Sequence, residues 1–202
     1  MITLGVGFSI KSNLGSTPVS TIPYTMDLIW GIEIGIATII FHAILVGIEL
    51  VLLRSDFKPK HFLQVFVGVL FGWFTSISVS LTAMLPIPSN FYISIALIVL
   101  STFLVALGLF FYVPANIIPL SVEGVTQAIA IVSNQPFPKI KVLFDVTVVA
   151  SSVVLCYLFL GIIGGSVGIG TIISALFVGT TLKYIQKLHR YVTGQPVDLK
   201  KM

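Results

Sequence analysis

IGIATIIFHAILVGIELVLL, residues 34–53, runs for twenty residues with one carboxylate, Glu49, and one imidazole, His42. A helix rises about 1.5 Å per residue, so this stretch reaches about 30 Å, the thickness of a bilayer's hydrocarbon core. Residues 62–85, 92–113, 140–163 and 169–182 read the same way, long and almost uncharged. Only helices and closed barrels satisfy their own backbone in lipid, and the strict apolar–polar alternation of a barrel strand is absent. The chain as a whole is 56% hydrophobic and 9% charged, where soluble domains carry about 25% charged residues. The expected fold is therefore all-α: one polytopic membrane domain over residues 1–202.

Counting the apolar residues 1–10 as a span gives about six transmembrane helices, and the loops then alternate sides. One side takes Arg54, Lys58, Lys60, Lys139, Lys141, Lys183, Lys187, Arg190, Lys200 and Lys201, ten of the eleven Lys/Arg. The other side has PIPSN (86–90) and GGSVG (164–168), with no charge. Basic loops stay cytoplasmic, so both termini are expected inside, with a short tail at 189–202. The excess of base is then topological, and no nucleic-acid partner is expected. Cys156 has no second cysteine to pair with and reads as a small buried apolar residue. MITLGVGFSI has no basic leader and no cleavage site, so no secretory signal is expected.

Sliding the chain by 103 residues aligns its two halves. Leu4, Gly5, Phe8 and Asn13 fall on Leu107, Gly108, Phe111 and Asn116, while Val46, Val51 and Leu52 fall on Val149, Val154 and Leu155. In the same register His42 falls on Asp145. Each half, about 1–85 and 91–188, holds three spans, and an odd number turns the second half upside down. That predicts an inverted-topology repeat, an arrangement common among secondary transporters. The repeat also makes the first span short: its ten residues reach about 15 Å as a helix, so either the start of the helix lies before Met1 or the helix stops halfway across.

Each half is broken once. SNLGSTPVSTIP (12–23) carries a hydroxyl followed by proline at Thr17-Pro18, a helix start with Thr17 as N-cap, which predicts a short helix over 19–28. NIIPLSVEGVTQAIAIVSN (116–134) reads alike, with Ser121 as N-cap, Glu123 in the first turn and a short helix over 122–132. Neither is long enough to span. Broken helices at matching positions of two halves mark a transporter's midplane site, and helix starts carry free N–H groups and partial positive charge. Asn13, Ser16 and Thr17 from one break are expected to converge with Asn116 and Ser121 from the other on a small polar or anionic substrate, with Glu123 there to bind a cation, a proton or a substrate amine or to complement its own helix start.

Ionisable residues inside spans are candidates for coupling. His42 and Asp145 hold equivalent mid-span positions, and Lys11 is the one basic residue away from the cytoplasmic side. Glu49 lies a turn from a span end, free to snorkel or to pair with Arg54, and Glu33 is interfacial. His61 and His189 look isolated and cytoplasmic. GGSVG matches G-x-S-x-G, but it joins two spans where a nucleophile elbow needs a strand before it. No Cys/His cluster has metal spacing. No catalytic residue, metal or cofactor is expected.

GVGFSIKSNLGSTPVS, FKPKHFLQVFVGVLFGWF, VEGVTQAIA, KIKVLFDV and VGIGTIISALFVG, in that order, resemble the YczE/YyaS/YitT-like family of bacterial and archaeal integral membrane proteins. The resemblance covers most of the chain. It implies a prokaryotic plasma-membrane location and, through putative exporters, transport. It also implies Asn where this chain has His42 and a fuller first span before Leu4. A secondary transporter is thus the expected function, with a non-transporting substrate-binding subunit of a larger transporter as the rival. A homodimer stays open.

Overall fold

In the computed structural model, residues 1–54, 57, 59–115 and 118–193 are described. Among them the chain is helical, without strands: α1 (Ile2–Lys11), α2 (Thr21–Trp30), α3 (Ile34–Leu53), α4 (Leu63–Ala83), α5 (Phe91–Ala115), α6 (Ser121–Ser133), α7 (Phe137–Leu160) and α8 (Ile169–Thr193). Short 3-10 turns at Pro18–Ser20 and Pro59–Phe62 precede α2 and α4. By length and composition five helices, α3, α4, α5, α7 and α8, can cross a membrane, and α1 is a shorter apolar helix. Ile36, Ile40, Ile44 and Ile48 form an exposed stripe four residues apart along α3, while its opposite face buries Thr38, His42 and Glu49. An apolar outside over a polar-bearing inside is how a helix meets lipid.

Local chemistry sets the boundaries. Gly31 at φ 63° and Asn134 at φ 51° end α2 and α6 in the left-handed conformation, which glycine and asparagine tolerate best. The side chain of Glu33 accepts from the backbone N–H of Ile36 at 3.1 Å and caps α3; the side chain of Asn90 does the same for α5 through Ile93 at 3.0 Å. Helix ends recur at the spacing read in the sequence: Trp30 and Ser133 end helices, Gly31 and Asn134 cap them, and Ile34 and Phe137 begin the next, each pair 103 residues apart. Two predicted caps are corrected. Leu120, not Ser121, is the N-cap of α6, and Ser20 rather than Thr17 precedes α2, neither with a side-chain cap bond. Pro18 starts the 3-10 turn, and that turn delays α2 to Thr21.

Two compact units form. The first comprises residues 1–17, 77–117 and 168–202, thus α1, the end of α4, α5 and α8. Its α1 lies on α5 through glycine: a Cβ on Gly5 would meet Val105 Cγ2 at 2.5 Å and the Ser101 carbonyl at 2.9 Å, and a Cβ on Gly108 would meet Ile2 Cγ1 at 2.5 Å. The Ser101 hydroxyl donates to the Gly5 carbonyl at 2.6 Å. Moving back along α1 from Gly5 to Ile2 moves forward along α5 from Val105 to Gly108, so the two helices run antiparallel. The contacts are also reciprocal, because Ile2 and Gly5 are the 103-residue counterparts of Val105 and Gly108.

The second unit comprises residues 18–76 and 118–167. There α2 packs on α3 and α7, and α6 packs on α7 and α3. Phe41, Leu45, Val122, Val125 and Val148 form its buried core, with Val19, Ile22, Leu52, Ile129 and Phe144 packed against it. Eight of these ten residues are four counterpart pairs at the same spacing: Phe41 with Phe144, Leu45 with Val148, Val19 with Val122, and Ile22 with Val125. At the α3–α4 crossing the backbones touch: a Cβ on Gly72 would lie 2.5 Å from the Gly35 carbonyl, and one on Gly35 would lie 2.5 Å from the Gly72 carbonyl.

Candidate functional site

The break after α1 is held by hydroxyls that bond the backbone nearby. The Ser12 hydroxyl donates to the Ser9 carbonyl and accepts from the Leu14 N–H at 3.1 Å, and the Ser9 hydroxyl donates to the Gly15 carbonyl at 3.0 Å. The Gly170 N–H donates to the Leu14 carbonyl at 2.8 Å, tying the break to the start of α8. Gly168 permits this approach, since its missing Cβ would strike that carbonyl. Asn13 is exposed and takes φ 58°, so it serves the turn. Thr17 is buried and engaged. Ser16 is fully buried, and its hydroxyl has no hydrogen-bond partner. Lys11 donates from Nζ to the carbonyl of Ala83 at 3.1 Å, capping the negative end of α4. Asn116 lies outside the described residues.

In the second unit the start of α6 carries Ser121, fully buried, and Glu123, half-buried; Ser121 Oγ and Glu123 Oε2 are buried without partners. Burial pushes the Glu123 carboxyl above the usual carboxylate range; Lys141 opposes that and Asp145 adds to it. Asp145 pairs with Lys141 of its own helix at 2.7 Å. Its counterpart His42 is buried on α3, with the rings of Phe41 and Phe71 beside it and neither ring nitrogen bonded. An i,i+4 lysine is the nearest way for a carboxylate to stay hydrogen-bonded, so Asp145 has a local partner and His42 has none.

A polar cluster that the sequence reading missed sits where α3, α4 and α6 meet. Glu49, 2% exposed, accepts at Oε1 from His61 Nδ1 at 2.6 Å and from Gln64 Nε2 at 3.3 Å. Glu49 therefore neither snorkels nor pairs with Arg54, and His61 is not isolated. Gln64 is equally buried. Glu49 Oε2 and Gln64 Oε1 have no partner, and both lie against Gly124 of α6, where a Cβ would come within 2.7 Å and 2.5 Å of them. Hairpin geometry held the signal: Glu49 near the end of α3 and Gln64 near the start of α4 face each other across a short connection. His189 is not isolated either, since its ring packs on Phe110.

The serine of GGSVG is also buried and spoken for. Ser166 Oγ lies 2.5 Å from Thr25 Oγ1, and Cys156 Sγ lies 3.8 Å from Ser166 Oγ. These contacts bind the loop before α8 to α2, a structural use of the motif. No group of three His, Cys, Asp or Glu positioned to hold a metal occurs among the described residues. Chemically, then, the polar interior offers hydroxyls, two carboxylates and an imidazole that can bind and exchange protons with a polar guest.

No curated protein and no solved structure matches the chain significantly. A family model, described as a family of unknown function and named DUF6198, matches residues 1–187, almost the whole length. The chain belongs to that family.

Proposed function

We propose that this protein is a secondary transporter of a small polar metabolite, built from two inverted repeats of three helices each, with both termini cytoplasmic. The paired core of the second unit carries the proposal. Four pairs of counterparts 103 residues apart converge in one cluster, which is what a two-fold axis relating the α2–α3 half to the α6–α7 half produces. The antiparallel contact of α1 with its counterpart on α5 supports an axis lying in the membrane plane, so that one repeat is the other upside down. The short helices α2 and α6 end at matching positions and act as broken, re-entrant elements beside the axis. The resemblance to the YczE/YyaS/YitT-like family, with its putative exporters, points the same way.

Substrate binds near the bilayer midplane, between the repeats, where the short helices begin. On α6 the residues for it are Ser121 and Glu123. Two carboxylates, Glu123 in the first turn and Glu49 against Gly124, already answer the positive end of α6. That favours a neutral or cationic polar group there over an anion.

A thermal-shift screen of metabolites on the purified protein, followed by flux of the hits into proteoliposomes, tests the proposal. Flux that is cut at least tenfold by Ser121→Val is expected. Hits transported equally well by Ser121→Val remove the binding place, and no saturable flux of any hit removes the transporter.

A further inference from the structure

We propose that Glu49 is a proton-binding site, with Gln64 and His61 as its built-in partners, and that it serves as the coupling carboxylate of the transporter. The coupling role rests on the function proposed above; the proton site stands on its own geometry. Glu49 Oε2 and Gln64 Oε1 are both acceptors, both buried and both without a donor. Leaving two acceptors unmatched away from water is costly. One proton removes both defects. On Oε2 it makes Glu49 a donor to the Gln64 carbonyl, while Gln64 Nε2 already donates to Oε1 at 3.3 Å. The result is a two-point pairing of an acid with an amide.

The surroundings select a proton over a larger cation. The backbone of Gly124 presses on both oxygens so closely that a methyl there would sit 2.5 Å from one and 2.7 Å from the other. That leaves no room for a hydrated ion on the Gly124 side. His61 joins the buried carboxylate to the surface, since its ring is 19% exposed and its Nδ1 lies 2.6 Å from Oε1. A proton added at Nε2 from solvent lets Nδ1–H pass to Oε1, leaving the imidazole neutral in its other tautomer. A half-turn of the carboxyl then carries the proton to the Gln64 side, and a flip of the imidazole returns a ring N–H to the oxygen that faces it. The other charged group on α6, which packs on α3, is Glu123, and on α7 Lys141 and Asp145 pair with each other and act on Glu123. Arg54, at the end of α3, is exposed.

Infrared difference spectra of the full chain in liposomes, between alkaline and acidic buffer, test the site. All samples carry Glu123→Gln, which removes the other buried carboxyl. A carboxylic-acid carbonyl band of a buried group is expected on acidification of this variant. It should be lost when Glu49→Gln is added and moved to higher wavenumber when Gln64→Leu is added, which takes the acceptor away. Replacing choline by sodium at fixed pH should leave the band unchanged. A spectrum that Glu49→Gln leaves unaltered, a band that stays put with Gln64→Leu, or one erased by sodium overturns the proposal. The spectra need no substrate, so failure of the transporter reading appears in the flux screen and failure of the proton site appears here.

Discussion

Replacing Gly5 by alanine drives a methyl into α5, 2.5 Å from Val105 Cγ2 and 2.9 Å from the Ser101 carbonyl. Carbon contacts are comfortable at about 3.5–4 Å, so α1 must retreat by about 1 Å. Overpacking of this kind costs about 1–3 kcal/mol. The retreat also stretches the 2.6 Å bond from Ser101 to the Gly5 carbonyl, worth about 1 kcal/mol. Gly5→Ala should therefore destabilise by about 2–4 kcal/mol. Gly108→Ala does the same to the same interface from the other side, through Ile2 at 2.5 Å. One retreat relieves both clashes, so the double variant should cost less than the two single variants together, by about 1 kcal/mol or more. Reversible unfolding in mixed detergent micelles measures all three. Full additivity, or a Gly5→Ala variant as stable as the wild type, would refute the reciprocal antiparallel packing of α1 on α5.

Glycine elsewhere should split by sign. Gly47→Ala, with nothing within 4 Å of its Cβ position, should stabilise by up to about 1 kcal/mol through helix propensity, whereas Gly72→Ala should destabilise by about 1–3 kcal/mol against the Gly35 carbonyl, both read by the same unfolding assay. His42→Leu removes two unbonded ring nitrogens from a buried site and should be neutral or stabilising by about 1 kcal/mol; a large loss of stability would reveal a hydrogen-bond partner for the ring. Thr25→Val should cost about 1–3 kcal/mol by leaving Ser166 Oγ without its hydroxyl partner, and Thr25→Val with Ser166→Ala should recover part of it. Glu123 has its folded value raised above the ordinary carboxylate range by burial, so its contribution is full below that range and is lost as pH rises through the raised value. Glu123→Gln should flatten that part of the stability-versus-pH curve, and an unchanged curve would count against the burial.

The 103-residue register was legible in the sequence because it is ungapped across the positions that matter. Val19 with Val122 and Phe41 with Phe144 were identities in a faint alignment, and they turn out to share one core. The long apolar spans and the helix over 122–132 were legible too, since length and Ser133-Asn134 punctuate them. What escaped was side-chain partnership. Glu49 and His61 are twelve residues apart across a turn, and no periodicity reports that a particular rotamer bridges two helices. Nor does a run of hydroxyls tell which of them are used locally: short polar side chains readily bond the backbone nearby, and Ser9 and Ser12 hold the break together in this way. Lys11, the one basic residue away from the basic side, caps α4, a contact hidden in the sequence because the Ala83 carbonyl lies 72 residues downstream and meets it only in three dimensions.

The proposed inversion of one half relative to the other is tested most directly by sidedness. Trp30 and Ser133 are exposed, end α2 and α6, and are counterparts 103 residues apart. In a Cys156→Ser background, Trp30→Cys and Ser133→Cys should be labelled by a membrane-impermeant maleimide from opposite faces, Trp30→Cys from outside intact cells and Ser133→Cys only after the cytoplasmic face is opened. Labelling of both positions from the same face would contradict the inverted repeat.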